Sequence, residues 1–323
     1  MKIKPAIHSS FPRIGEQPDE QKLRRAIAGL ERGKITKDDL DEVENQVVDD
    51  VLAIQENAGL ELVSDGLIRW YDPASHLAKG LKGFEINGLL RFFDTNTYYR
   101  QPVVIEDISA GNGDLSTEIA YAIKKADRPV KGVILGPLSM AAMSLNKSKL
   151  KFTDLAIKLG DLLGREVAAM TSSGADFVQV EEPWLVRNPE YFDLFKDSFG
   201  QLLRNKGNAK TILTFYFGDT GKIYDRLGAI AADMLGIDFT YSPGLLERLA
   251  SEGSPIPLSF GILDGRNTKL ESASQIARSL EPILIKVTGD CHLTTSCGLE
   301  YLPRSYAVRK LQLTSETATL LNG

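Results

Sequence analysis

Two adjacent carboxylates, Glu181 and Glu182, follow an apolar β-type run in Phe177-Val-Gln-Val-Glu-Glu-Pro-Trp184. A carboxylate where a buried strand meets its loop can hold a substrate ammonium or guide a basic partner. The same position also suits a salt bridge that closes the strand end. A second set, Arg91-Phe-Phe-Asp-Thr-Asn-Thr-Tyr-Tyr-Arg100, mixes arginines and aromatics with the amide of Asn96. Arginine offers a planar fork for carboxylates and aromatics offer a stacking surface, so this set fits an anionic, ring-bearing ligand. An amphipathic loop packed on a rim would read the same way. His8 and Arg13 lie in His8-Ser-Ser-Phe-Pro-Arg-Ile-Gly15, followed by Lys22, Arg24 and Arg25. These cations could meet an acidic tail, although a Lys/Arg run on a helix is more often a solvated face.

Cys291, His292 and Cys297 carry zinc-ligand chemistry at poor spacing. On an extended strand His292 points away from the cysteines, which sit roughly 20 Å apart at about 3.3 Å per residue. Cys297 alone stays open to two readings, a single metal ligand or a small apolar residue. No phosphate-binding P-loop and no dinucleotide fingerprint occurs. With only His8, His76 and His292 present, acid–base chemistry would fall mainly to carboxylates.

The elements that must position these groups alternate along the chain. Apolar, β-branched or aromatic runs predict strands at 6–9, 61–64, 133–135, 177–181, 212–217, 237–241, 258–263 and 292–296. Helical patterns fall at 19–32, 36–57, 155–172, 190–206, 222–235 and 272–283. Gly33 ends the first, and Thr36 with Asp39 forms a capping box for the second. Eight strands with intervening helices predict an α/β fold, a single-domain (β/α)8 barrel over residues 1–323. The least regular stretch, 67–112, reads as an enlarged loop at the ligand-binding end, with a small extra strand at 103–105.

The 323 residues carry a net charge of -5 with acids and bases interspersed, which argues against nucleic acid as the main partner. No apolar run approaches the roughly 20 residues of a membrane span. Two cysteines cannot build a disulfide framework, so a reducing cytoplasm is the expected compartment.

Several segments in register resemble the N-terminal, zinc-free half of cobalamin-independent methionine synthase. They include Phe11-Pro-Arg-Ile-Gly15, Ser64-Asp-Gly-Leu-Ile-Arg-Trp-Tyr-Asp72, Arg91-Phe-Phe-Asp-Thr-Asn96, Leu135-Gly-Pro-Leu-Ser139 and Gln179-Val-Glu-Glu-Pro183. Further along come Thr214-Phe-Tyr-Phe-Gly218, Gly261-Ile-Leu-Asp-Gly-Arg-Asn-Thr268 and Ser296-Cys-Gly-Leu-Glu-Tyr-Leu-Pro303. The resemblance implies a methyltransferase family of methionine biosynthesis. In that half a basic first helix and a later lysine help bind the polyglutamate tail of methyltetrahydrofolate. Carried over, the helix stretch is Gln21, Lys22, Leu23 and Arg24, and Arg91 stands for the lysine. The His-x-Cys zinc pair of the family's catalytic half would fall on Phe215 and Phe217, and its glutamate near Thr240. Only Cys297 coincides with a zinc ligand, so zinc is not expected here.

These readings predict a donor-side barrel. Arg13, Lys22, Arg24, Arg91, Asn96 and Arg266 would hold an anionic methyl donor, methyltetrahydrofolate polyglutamate. Glu181 and Asp264 would shape the floor and are the catalytic candidates. The partner would be a separate zinc-bearing catalytic barrel, with no nucleic acid and no membrane. Two alternatives stand beside this. One is a stand-alone enzyme using Glu181, Glu182, Asp65, Asp264 and Arg266, with a folate or corrinoid donor. The other is a non-catalytic barrel that binds a partner.

Overall fold

The computed structural model describes residues 2–111, 113 and 115–323. Ten strands follow in chain order: β1 (Ile3–Pro5), β2 (Leu81–Arg91), β3 (Tyr98–Ala110), β4 (Lys131–Leu135), β5 (Leu145–Asn146), β6 (Phe177–Glu181), β7 (Lys210–Phe215), β8 (Met234–Asp238), β9 (Leu258–Leu263) and β10 (Cys291–Thr295). The helices are α1 (Lys22–Glu31), α2 (Lys37–Asn57), α3 (Pro73–Lys79), α4 (Leu115–Lys125), α5 (Pro137–Met143), α6 (Phe152–Ser172), α7 (Phe192–Leu203), α8 (Tyr224–Leu227), α9 (Pro243–Glu252), α10 (Ala273–Leu284) and α11 (Arg304–Asn322).

Seven strands form one parallel sheet in the order β1-β10-β9-β8-β7-β6-β4. The eighth stave is too short to count as a strand. Leu62 bridges in parallel to Ala6 and Val63 to Val130, which joins the two ends of the sheet. The result is a (β/α)8 barrel with helices outside, where strands buried on both faces read as continuous apolar runs. β4 and β8 are buried at every position. Side chains complete the short stave. Gln55, buried on α2, accepts from Ser64 N at 3.0 Å and donates to Ser64 O at 2.8 Å, and Ser64 Oγ donates to Ser9 O at 2.6 Å.

Local chemistry explains the element ends. Thr36 and Asp39 form the expected capping box on α2, with Asp39 N donating to Thr36 Oγ1 at 3.2 Å and Thr36 N to Asp39 Oδ2 at 2.8 Å. At the far end, Asn322 of α11 clamps both backbone groups of Ile3, accepting at 3.1 Å and donating at 2.8 Å.

Three expectations need correction. The first strand lies at 3–5 rather than 6–9, because Lys4 and Pro5 look unlike strand residues yet pair with β10. The helix expected over 222–235 shrinks to α8, since Gly228 ends it and Met234 and Leu235 begin β8. The stretch 67–112 is largely regular: α3 is followed by a long antiparallel hairpin, β2 with β3, paired from Leu81↔Ala110 to Arg91↔Tyr98. The expected strand at 103–105 is the middle of β3, against which β5 pairs in parallel. The far end of that stretch, Asn112, lies outside the described residues.

Candidate functional site

The hairpin folds over the C-terminal end of the barrel, and its turn, residues 92–97, forms part of the mouth. Phe92 and Phe93 pack on Phe217 at ring-centroid distances of 6.1 and 5.7 Å. Phe93 and Phe217 both hold positive φ, 51° and 62°. For bulky residues this costs about 1–3 kcal/mol each and persists only where surrounding contacts dictate it.

Two linked hollows open here, sharing Thr97, Glu300 and Tyr301. The first, about 200 Å³, has Trp70, Tyr71, Phe92 and Tyr98 on its walls with Arg13 among them. Arg13 Nε and Nη2 are buried and have no hydrogen-bond partner. Burial is the main reason its guanidinium is held below its usual pKa. Tyr71, 46% exposed, gathers cations around one ring: Arg100 at 4.3 Å, Arg13 at 4.8 Å and Lys79 at 5.7 Å from the centroid. Trp70 is fixed by its Nε1 donating to Glu118 at 2.8 Å and by stacking on His76 at 4.5 Å.

The second hollow, about 440 Å³, is polar and lined by Asp94, Asn96, Asp264 and Arg266. Asp264 Oδ1 accepts from Arg266 N at 2.9 Å. Burial raises the Asp94 carboxyl, but Tyr241, Arg187 and Arg266 outweigh it and hold the group below the usual carboxylate range. Glu300 is open to both hollows and accepts from Ser10 Oγ. Crowding by protein raises its carboxyl to about 7, with nearby Glu181 adding to the effect.

Below the mouth runs a closed polar column. Lys131 Nζ donates to Gln179 at 2.6 Å, Gln179 donates to Glu181 Oε1 at 2.8 Å, and Tyr216 OH donates to Glu181 Oε2 at 2.8 Å. Burial pushes the Lys131 amine down to about 7 and raises the Glu181 carboxyl. His8 sits 3.7 Å from Glu181, with its pKa pushed well down by burial and then by Lys131. Its Nε2 is buried without a partner.

The sequence-expected residues therefore separate. Arg13, Asn96, Asp264 and Arg266 line the mouth hollows. Arg91 stands beside them, its Nη2 donating to Asn96 Oδ1 at 3.1 Å across the hairpin turn. Lys22 and Arg24 lie on α1 at the barrel's flank and line neither hollow; Lys22 is ion-paired with Asp50. Glu181 lies beneath the mouth rather than in it, and Glu182 is buried among Leu138 N, Ser139 N and Ser139 Oγ. Asp65, raised to about 6 by burial and then by Glu118, accepts from Leu67 N in a turn. Arg100 closes the arginine–aromatic set read from the sequence, whereas sequence reasoning does not single out Glu300, Tyr301, Tyr71, Arg187, Tyr241 and Lys131. Glu300 and Tyr301 lie in the segment 296–303, just past the expected strand at 292–296, and no local pattern marks them as lining the mouth.

The donor set does not fit zinc. Phe215 faces outward onto Phe195 and Phe217 faces the hairpin. Asp238, two residues before Thr240, spends its oxygens on Thr240 N and Oγ1, Tyr241 N and Phe217 N. The buried Cys297 thiol is pushed well up, mainly by burial, away from the thiolate a metal needs. Among the described residues no group of three His, Cys, Asp or Glu side chains is placed to hold a metal ion.

Fold and mouth together define a (β/α)8 barrel with a cationic, aromatic C-terminal end. A family model described as "Cobalamin-independent synthase, N-terminal domain" matches residues 72–288. The chain belongs to this family. It is 29% identical over 304 residues to a methionine synthase of Saccharolobus islandicus (strain L.S.2.15 / Lassen #1), covering 92% of this chain and 90% of that protein. A methionine synthase of Sulfolobus acidocaldarius is 27% identical, with 92% and 88% covered. Among solved structures, a B12-independent methionine synthase from Shewanella sp. W3-18-1 in complex with selenomethionine superposes with a TM-score of 0.84 at 17% identity, covering 100% of this chain and 98% of that one. The family and these relatives support a role in methionine biosynthesis. Among the described residues no helix is long and apolar enough to cross a membrane.

Proposed function

We propose that this chain holds an anionic methyl donor, methyltetrahydrofolate polyglutamate, and presents it to a separate zinc-bearing catalytic barrel. The observation that carries this reading is Arg13. A guanidinium with two buried, unpartnered nitrogens beside an aromatic-walled hollow is costly to the fold and suited to an anionic ring-bearing ligand. Arg100 and Lys79 around Tyr71 add positive charge, and the second hollow extends the cleft toward Asn96 and Arg266. The roles of this chain would be to bind, orient and desolvate the donor. Calorimetric titration of the purified protein with methyltetrahydrofolate triglutamate should show saturable binding, and a zinc-bearing catalytic barrel should co-elute with it. Absence of both sinks the reading.

A second reading, a stand-alone enzyme, is favoured by Glu300 alone. A carboxyl open to both hollows and raised above the usual carboxylate range is placed to act as a general acid or base on a bound ligand. Methyl transfer to homocysteine by the isolated chain, lost in Glu300→Gln or Glu181→Ala with folding intact, would replace the first reading with this one.

A further inference from the structure

Asp94 reaches the barrel from the hairpin tip, and donors from three different barrel loops meet its carboxylate. Arg187 Nη2 lies 3.0 Å and Arg266 Nη1 3.3 Å from Oδ1, and Tyr241 OH donates to Oδ2 at 2.6 Å. All three donors are held without Asp94. Arg187 Nε donates to Phe217 O at 2.7 Å. Arg266 lies over Phe217 at 5.0 Å and Tyr241 at 4.8 Å. Two guanidiniums share this one carboxylate and form no other ion pair among the described residues. Two arginine forks and a hydroxyl on an aromatic platform are a carboxylate-recognition set.

The occupant is the unusual part. It arrives on a turn rather than on the wall, next to a Phe93 held at positive φ. Thr95 and Thr97 organise that turn internally, through Thr95 Oγ1 to Phe92 O at 2.6 Å and Thr97 N to Thr95 Oγ1 at 3.2 Å. Phe92 and Thr95 anchor the turn in buried positions while the Asp94 side chain is half exposed, so the carboxylate can swing off the arginines without unfolding the turn. Asp94 and Arg266 both line the larger hollow, so a ligand there has direct access to the set.

We infer that Arg187, Tyr241 and Arg266 form a binding site for the carboxylate of a small di- or polycarboxylate, and that Asp94 is its built-in occupant, displaced when the ligand enters. The inference rests on the donor-holding reading for its physiological ligand, and on the geometry above for the site. The occupant competes with the ligand, so removing its charge should tighten binding.

The test titrates the full chain by calorimetry with glutarate and with tri-γ-glutamate, neither of which carries a pteridine ring. Asp94→Asn should bind at least one of them tenfold or more tightly than the wild type. Adding Arg187→Ala or Arg266→Ala to it should erase that gain. Tightening with glutarate as well as the peptide assigns the site to small dicarboxylates generally; tightening with the peptide alone assigns it to γ-linked tails. In the wild type, which needs no variant to fold, saturating ligand should speed amide exchange at residues 93–96. Equal affinity in a folded Asp94→Asn protein, or slower exchange at the tip in the complex, overturns the inference. Failure of the donor reading shows separately, as tighter carboxylate binding in a chain that never binds methyltetrahydrofolate triglutamate.

Discussion

Arg13→Met should make the protein more stable and worse at its work. Methionine keeps most of the aliphatic stem that packs at the hollow and removes the charged head. Each buried donor left unpaired costs about 1–3 kcal/mol, and Arg13 has two, Nε and Nη2. Against this, the contact of its guanidinium with Tyr71 at 4.8 Å returns about 0.5–1 kcal/mol. The balance favours the variant by roughly 1–5 kcal/mol. Urea unfolding should then show a higher midpoint at unchanged slope. Donor affinity should move the other way. Two charge-assisted hydrogen bonds to an anion are worth about 1.5–3 kcal/mol each, so the loss should reach ~100-fold or more in Kd. A variant that unfolds at lower urea would show that Arg13 is a structural cation with partners of its own. Unchanged titration of methyltetrahydrofolate triglutamate would remove Arg13 from the ligand's path. Either result refutes the reasoning.

Three further outcomes follow from groups described above. The Lys131 amine sits at about 7 when folded and near its usual 10.5 when unfolded, so between these values the unfolded chain binds more protons and stability rises with pH. Lys131→Met should flatten the wild-type rise between roughly pH 7 and 9, which can reach about 1.4 kcal/mol per pH unit, in unfolding curves taken across that window. Gly136→Ala would place a Cβ 2.2 Å from Glu182 Oε1, a carboxylate pinned by three donors, and should cost roughly 1–3 kcal/mol or more by urea unfolding. Cys297, buried with its thiol pushed well up, should resist iodoacetamide in the folded protein at mildly alkaline pH and react on unfolding; rapid labelling of the native chain would contradict its placement.

How far the sequence could be read depended on whether each signal was local. β6 and β9 fall where expected because each is a short, mainly apolar or β-branched run stopped by a polar turn, Glu182-Pro183 and Asp264-Gly265. The false helix at 222–235 has a physical origin. Ile223, Leu227, Ile230 and Met234 are all buried and spaced four, three and four apart, the period of a helix face. A loop crossing the core and entering a strand imitated that period, and Gly228 was the only local warning. The hairpin was hidden by Gly83 and Gly88, which hold positive φ at register shifts and break the alternation. At the mouth, Arg13 and Asn96 are legible from residue type in their segments, and Asp264 and Arg266 from the family-like segment 261–268. Arg187 and Tyr241 are not, because only the fold brings their loops to Asp94. Lys131 opens a strand, where lysine normally meets water, and nothing local says that it points down the barrel axis.

The narrow stave at residues 62–63 gives an outer-helix residue leverage over the ligand end. The stave pairs through two short bridges, and beyond them the chain is held at Ser64 by side chains, the amide of Gln55 gripping both backbone groups and Ser64 Oγ reaching Ser9 O. Tyr71 and its ring of cations begin seven residues further on. A change at Gln55 would thus loosen the segment that leads to Tyr71 while touching none of the cationic platform.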